Sequence, residues 1–151
     1  KRLVAGYEAP VYVSWASINR SDLVRIPAYK EGREDSVRAE YRAPDPSCNP
    51  YLAFSVLLAA GLAGIEHDYP VPSPVEENLF EISEVERRSR NIEMLPGSLL
   101  EAIKLSESSP LVEQALGQHL YSTLLTNKRI EWERYRTQIT DFELRTYLPS
   151  L

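Results

Sequence analysis

The sequence predicts an α+β fold, with short antiparallel strands before residue 42 and a mainly helical half from residue 50 to 151. Three observations carry that expectation. Short runs before residue 42 alternate apolar and polar residues, the period of a half-buried strand. A proline cluster, Pro44, Pro46 and Pro50, then stops strand pairing, because proline has no N–H for a ladder. Beyond Pro50 the apolar spacing changes to i, i+3/i+4, and an Asn, Ser or Thr cap precedes each run.

Taken in order, residues 1–9 read as a loop, since Gly6 permits a turn and Pro10 biases Ala9 away from helix. Val11 to Trp15 alternates and reads as a strand. Ile18 to Asp22 is a polar turn, and Leu23 to Ile26 is a second strand ended by Pro27. Ala28 to Ser36 is a charged loop around Gly32, and Val37 to Arg42 is the third strand. Antiparallel pairing is expected, because the intervening loops are too short for a helical crossover. On the third strand Arg38, Glu40 and Arg42 fall on one face, each about 7 Å from the next. Such a row suits a metal ion on the carboxylate and anionic oxygens on the guanidinium forks. The alternation alone would equally describe a solvated face with cross-strand ion pairs.

Asn49 and Pro50 supply a cap and a first helical residue, opening a helix to about His67. Its apolar residues spread nearly all round, so cover on most sides is expected. Tyr69 to Pro74 is a proline-rich extended loop. Ser83 to Glu86 has the pattern of a capping box and predicts a short polar helix. Ser98 caps a helix to Ser106, and Ser109-Pro110 opens a long one to about Thr137, with Gly117 as the place for a kink. Thr140 to Glu143 is a second capping box, and the helix it opens closes at Pro149. Leu111, Ala115, Leu120, Leu124, Leu125 and Trp132 of the long helix read as core or helix-contact positions, most of them core.

The 151 residues suit one domain. A formal charge of −5 disfavours a general role on nucleic acid or an anionic membrane. Within that acidic balance Arg2, Arg20, Arg25, Arg33, Arg38 and Arg42 crowd into the first 42 positions, which hints at an anion site. Cys48 is the single cysteine, so an intrachain disulfide is excluded and a reducing compartment, the cytoplasm, is expected. His67 and His119 have no ligand spacing between them, and the apolar run Tyr51 to Ile65 is too short for a bilayer. No signal-peptide pattern opens the sequence. It starts at Lys1 and reads as the C-terminal part of a longer chain.

Arginine forks, with a carboxylate among them, fit phosphoryl transfer, where catalysis is mostly positioning and charge neutralisation. No Ser/His pair offers hydrolysis as a rival. Residues 1–10 (Lys-Arg-Leu-Val-Ala-Gly-Tyr-Glu-Ala-Pro), Asn19-Arg20-Ser21, Arg25-Ile26-Pro27, residues 38–42 and residues 45–52, in this order and spacing, resemble the C-terminal part of the catalytic domain of a type I glutamine synthetase. The similarity continues into residues 131–138 and covers essentially the whole chain.

The resemblance implies ATP-dependent amide formation, in which γ-glutamyl phosphate forms from glutamate and ammonia attacks it. It implies strands that belong to a larger curved sheet, magnesium or manganese as cofactor, and a homo-oligomer, a double-ring dodecamer. Glutamate would be bound by Arg2, Glu8, Arg20 and Arg42. Glu8, on a flap, would help deprotonate ammonium, and Arg20 would assist phosphoryl transfer as the second catalytic residue. ATP would be held by Arg20, Arg25 and Arg38, and Glu40 would ligate the metal. Roles for Lys30 and Arg33 stay open.

Departures from the pattern carry expectations too. Ala5 stands in place of a proline, which would loosen the flap. Phe80 stands where one subclass carries an adenylylated tyrosine, so that modification is not expected here. Most metal-binding carboxylates of the family precede this segment, so the segment alone is expected to be inactive. It is also expected to expose strand edges and the sides of the Pro50–His67 helix, and to be oligomeric or poorly ordered near residues 1–42. Two other readings remain: a γ-glutamyl ligase of the same fold acting on another amine, and a non-catalytic assembly fragment.

Overall fold

A computed structural model describes residues 9–19, 21–28 and 31–150. The chain forms two compact units, one ending at Gly97 and the other beginning at Ser98.

The first unit holds a three-stranded sheet, β1 (Tyr12–Ala16), β2 (Asp22–Arg25) and β3 (Glu40–Tyr41), in that spatial order. β2 and β3 are antiparallel, with Val24 opposite Tyr41 and Arg25 opposite Glu40. β1 and β2 are parallel, which corrects the expectation of antiparallel pairing throughout; Tyr12 faces Asp22 and Ala16 faces Arg25. The expectation failed because it assumed a helical crossover. Over a five-residue strand the return path is about 13 Å, and the short link from Ala16 to Asp22 can reach roughly 20 Å when extended. One extra residue on β1 between Tyr12 and Trp15 absorbs the register difference.

That link is fastened from a distance. The Glu76 carboxylate accepts the Ser17 N–H at 2.8 Å and the Ile18 N–H at 3.2 Å. The Asn19 amide donates to the carbonyls of Val75 and Glu77. The outer edge of β1 is covered as well, so the expectation of bare edges fails there, whereas no described strand pairs the outer side of β3. Val13 donates to the Glu93 carbonyl at 2.9 Å, and Leu95 donates to that of Val11 at 2.8 Å. Val11, Tyr12, Leu79 and Ile92 form the core under this face, with Val75, Phe80 and Ile82 packed against it.

The third strand is shorter than its alternation suggested, two residues rather than six, and the preceding loop contains a single 3-10 turn at Glu34–Ser36. Helix α1 (Pro50–Glu66) starts as expected, its Asn49 cap accepting from the N–H groups of Tyr51 and Leu52. None of its residues is buried, and Tyr51, Phe54, Leu58 and Ile65 stand exposed. The cover expected from its composition is absent among the described residues, while the exposure expected of the segment by itself is present.

Helix α2 (Glu84–Ser89) has half of its expected capping box: Ser83 accepts from the Glu86 N–H, but the Glu86 carboxylate turns to Arg90 instead.

The second unit contains α3 (Leu99–Glu107), α4 (Pro110–Arg136) and α5 (Asp141–Tyr147). Gly117 breaks α4 with φ 70° and ψ 153°, the kink anticipated there. A side chain would be strained at that φ, so glycine permits the break. Ile103 and Leu116 are buried here. The Tyr121 hydroxyl lies 3.2 Å from the carbonyls of both Ser106 and Glu107, across the end of α3, and Arg129 pairs with Glu107. The Thr140 box is complete, each partner bonding the other's backbone N–H. No described helix is long and apolar enough to cross a membrane.

Candidate functional site

The β2/β3 ladder decides where the charges meet. Because Arg25 is directly opposite Glu40, their side chains emerge on the same side. Arg25 donates from Nε at 2.9 Å and from Nη2 at 2.7 Å to Glu40 Oε2. Arg38 donates from Nε at 3.0 Å and from Nη2 at 2.7 Å to Oε1 of the same carboxylate. Its Nη1 also reaches the Ser36 carbonyl at 3.2 Å, which fixes the plane of the fork. Both oxygens of Glu40 are thus held by two guanidiniums.

The site is half-buried; about 28% of the Arg25 and Glu40 side chains is exposed, and 55% of Arg38. Burial pushes the Glu40 carboxyl up, but its bonds to Arg38 and Arg25 and their charges outweigh that and hold it below the usual glutamate range. It is an anion at neutral pH, surrounded by cations that would bind a phosphate or carboxylate oxygen with the same geometry.

Arg42 follows β3 and turns to the far end of β2. Its N–H donates to the Leu23 carbonyl at 2.9 Å, and its Nη1 to the Asp22 carbonyl at 3.2 Å. Of the residues singled out in the sequence, the structure therefore joins Arg25, Arg38 and Glu40 into one cluster and bonds Arg42 to the neighbouring backbone. Arg2, Glu8, Arg20 and Lys30 lie outside the described residues.

For a divalent cation the fit is incomplete. Magnesium or manganese wants several oxygen ligands, and among the described residues no three of Asp, Glu, His and Cys cluster. Glu40 can offer one ligand only, and each of its oxygens would first have to leave a guanidinium. For anionic oxygens the donor chemistry fits better, because the pair of guanidiniums outweighs the one carboxylate, but the Nε and Nη2 donors of both are taken by Glu40 and an incoming anion would have to displace it or use the remaining Nη hydrogens.

Two residues of this neighbourhood escaped the sequence reading. Glu76 lies in a loop far along the chain, and no local pattern marks it as the anchor of residues 17 and 18. Asp22 is completely buried, and neither of its carboxyl oxygens has a hydrogen-bond partner among the described residues. Asp22 opens β2, where burial follows position along the strand rather than alternation, so no face pattern marks it. Burial drives its carboxyl above the usual aspartate range; the nearby Ser14 hydroxyl lowers it, the Glu76 charge raises it and Arg42 lowers it. Phe80 also finds its role here, its ring 5.6 Å from that of Tyr12 beside the core.

Residues 1–147 match the family model described as glutamine synthetase, catalytic domain. The glutamine synthetase of Mycobacterium tuberculosis is 49% identical over 148 residues, covering 98% of this chain and 33% of that protein. The glutamine synthetase of Methanocaldococcus jannaschii is 48% identical, with 98% and 32% covered. The chain thus spans about a third of the length of these curated relatives. Among solved structures, one described as a GmaS/ADP complex superposes with a TM-score of 0.80 at 33% identity, covering 99% of this chain and 33% of that one. A cryo-EM structure of Plasmodium falciparum glutamine synthetase gives 0.79 at 19% identity, over 97% and 36%, a likeness of fold.

Proposed function

Because the chain belongs to the glutamine synthetase catalytic-domain family, we propose that it supplies the phosphate- and glutamate-binding segment of an ATP-dependent ligase that forms glutamine. The observation that carries this reading is the double grip of Arg25 and Arg38 on Glu40. Two guanidiniums held side by side by one carboxylate keep a net positive charge next to it for nucleotide phosphate oxygens, and fixed cations stabilise the charge that shifts during phosphoryl transfer. The bound nucleotide named for the structural neighbour, ADP, is in keeping with this.

Within that reading Arg25 and Arg38 hold the ATP phosphates, and Glu40 spaces the two forks and offers one metal ligand. Arg42 receives a carboxylate of glutamate or the γ-phosphoryl group. Arg2, Glu8 and Arg20 take the roles the family resemblance implies: glutamate binding, the flap that helps deprotonate ammonium, and assistance to phosphoryl transfer. A bound divalent cation would neutralise charge on the phosphates. The remaining metal ligands, and the part that closes the site from a neighbouring copy in a ring assembly, would come from residues outside these 151. This segment by itself is then inactive.

The test is an assay of the full-length synthetase with ATP and glutamate, offering ammonium and a panel of primary amines. Glutamine formation with ammonium, abolished by Arg25→Ala with Arg38→Ala, supports the proposal. Amide formation with another amine in preference to ammonium would move the chain to a sister ligase. Phosphate release unaffected by both substitutions would refute the phosphate-binding role.

A further inference from the structure

Arg20 is the residue to which the family resemblance gives a part in phosphoryl transfer. It lies outside the described residues, but both of its neighbours in sequence are described. The link that contains them is held by side chains. The Glu76 carboxylate accepts from two successive N–H groups, one oxygen to each, Ser17 at 2.8 Å and Ile18 at 3.2 Å. Successive N–H groups form a concave seat for an anion, so a carboxylate suits that place. The Asn19 amide donates to the carbonyls of Val75 and Glu77, the two neighbours of Glu76. Asn19 Oδ1 accepts from the Ser21 N–H at 3.1 Å and from the Ser21 hydroxyl at 2.9 Å, and Ser21 is buried. One side chain thus ties residue 19 both to residue 21 and to the loop that carries Glu76. That loop is itself secured. Val75 donates to the Trp15 carbonyl at 2.9 Å, and Glu77 pairs at 2.9 Å with Arg90 at the end of α2.

We propose that Glu76 and Asn19 are positioning residues for Arg20: by fixing the backbone on both sides of it, they set where its guanidinium can reach the transferring phosphoryl group. The Arg20 half of this rests on the function proposed above; the brace from residues 75–77 onto residues 17–21 does not. Consecutive Cα atoms are about 3.8 Å apart, so a residue between two fixed neighbours is confined to a short arc. A cation so confined needs no reordering at the moment of reaction, and misplacement by about 1 Å can cost on the order of 10²-fold in rate. The two side chains are suited to the brace by their donors and acceptors. Glu76→Gln leaves one acceptor for two N–H groups and turns its own NH2 towards the second; Asn19→Ala removes both ends of the tie.

The experiment uses the full-length synthetase, with Glu76→Gln and Glu76→Asp each made on wild type and on Arg20→Lys and assayed well below their thermal midpoints. On wild type, Glu76→Gln is expected to lower kcat about tenfold, and Glu76→Asp, which keeps both acceptors, to stay within about threefold. On Arg20→Lys, which has already lost the positioned fork, Glu76→Gln is expected to lower kcat by less than about twofold. A merely structural role would remove the same fraction of active enzyme from either background. A loss of about tenfold on both would therefore overturn the proposal, as would a loss below about twofold on wild type. A second readout needs no catalysis: amide hydrogen exchange in peptides covering residues 16–22 and 118–130. Glu76→Gln, and separately Asn19→Ala, are expected to speed exchange in the first by about tenfold or more and to leave the second unchanged. Unchanged exchange at residues 16–22 would overturn the brace. A protein that makes no glutamine yet shows the faster exchange would sink the proposed function and leave the brace standing.

Discussion

The unit beginning at Ser98 and the sheet of the preceding unit are held by interactions of different reach. In the helical unit each helix is started by its own neighbour in sequence: Ser98, Ser109 and Thr140 accept from N–H groups three positions on. Its side-chain bond from Arg129 to Glu107 spans 22 positions. In the sheet unit the Trp15 indole N–H reaches the Pro72 carbonyl 57 positions away at 2.7 Å, and Ser17 reaches Glu76 across 59. The difference shows that the candidate site sits on the part of the chain whose order depends on distant residues. The helical unit depends on neighbours. Substitutions in the two regions should therefore differ in kind as well as in size.

The largest effect belongs to the cluster itself. Glu40→Gln in the full-length synthetase keeps the shape but removes the charge that spaces Arg25 and Arg38. Turnover is expected to fall on the order of 10²-fold or more in a coupled phosphate-release assay. A loss below threefold would detach Glu40 from the chemistry.

Which features were readable follows the same division. The caps Asn49, Ser83, Ser98, Ser109 and Thr140 were legible because a capping residue and its target lie within three positions. The kink at Gly117 was legible because glycine in a helical run is conspicuous. The meeting of Arg38 with Glu40 followed from strand alternation. Arg25 was grouped with them by composition and resemblance, but its direct pairing with Glu40 was not legible, because that needs the β2/β3 register, which no local signal gives. The parallel pairing of β1 with β2 was misread for a related reason: its short link is held by Glu76 and by the Val75 and Glu77 carbonyls, all far along the chain. Composition marked α1 as a helix needing cover, and the described residues provide none.

The next effect concerns stability. Leu79 is fully buried at the centre of the small core. Leu79→Ala is expected to cost about 2–5 kcal/mol, seen as a lower denaturation midpoint. A shift near zero would mean that the sheet unit is not held from residue 79.

A smaller, pH-dependent effect belongs to the loop anchor. The Ser17 N–H, with further help from Ile18 and Asn19, holds the Glu76 carboxyl below the usual glutamate range despite some burial. A carboxylate with a depressed pKa in the folded state binds fewer protons there than when unfolded. Its contribution is present above the ordinary glutamate value and lost as pH falls through the lower folded one. Thermal midpoints of Glu76→Gln should therefore lie below wild type near neutral pH and converge with it in acid. A constant offset at all pH values would contradict the anchor.

The smallest change is expected at a cap. Thr140→Ala removes one half of a complete box and should cost about 1 kcal/mol, visible as lost helicity by far-UV circular dichroism, with no change in ATP or glutamate KM. An altered KM would break the separation between the two regions.

The central claim, that Arg25 and Arg38 converge on Glu40 to receive nucleotide phosphate, is tested most directly by calorimetric titration of ADP into the full-length synthetase and its Arg25→Ala variant. The account predicts affinity about tenfold weaker or more in the variant, with a flatter response to added salt after loss of one cation. ADP affinity equal to wild type, with the same salt response, would contradict it.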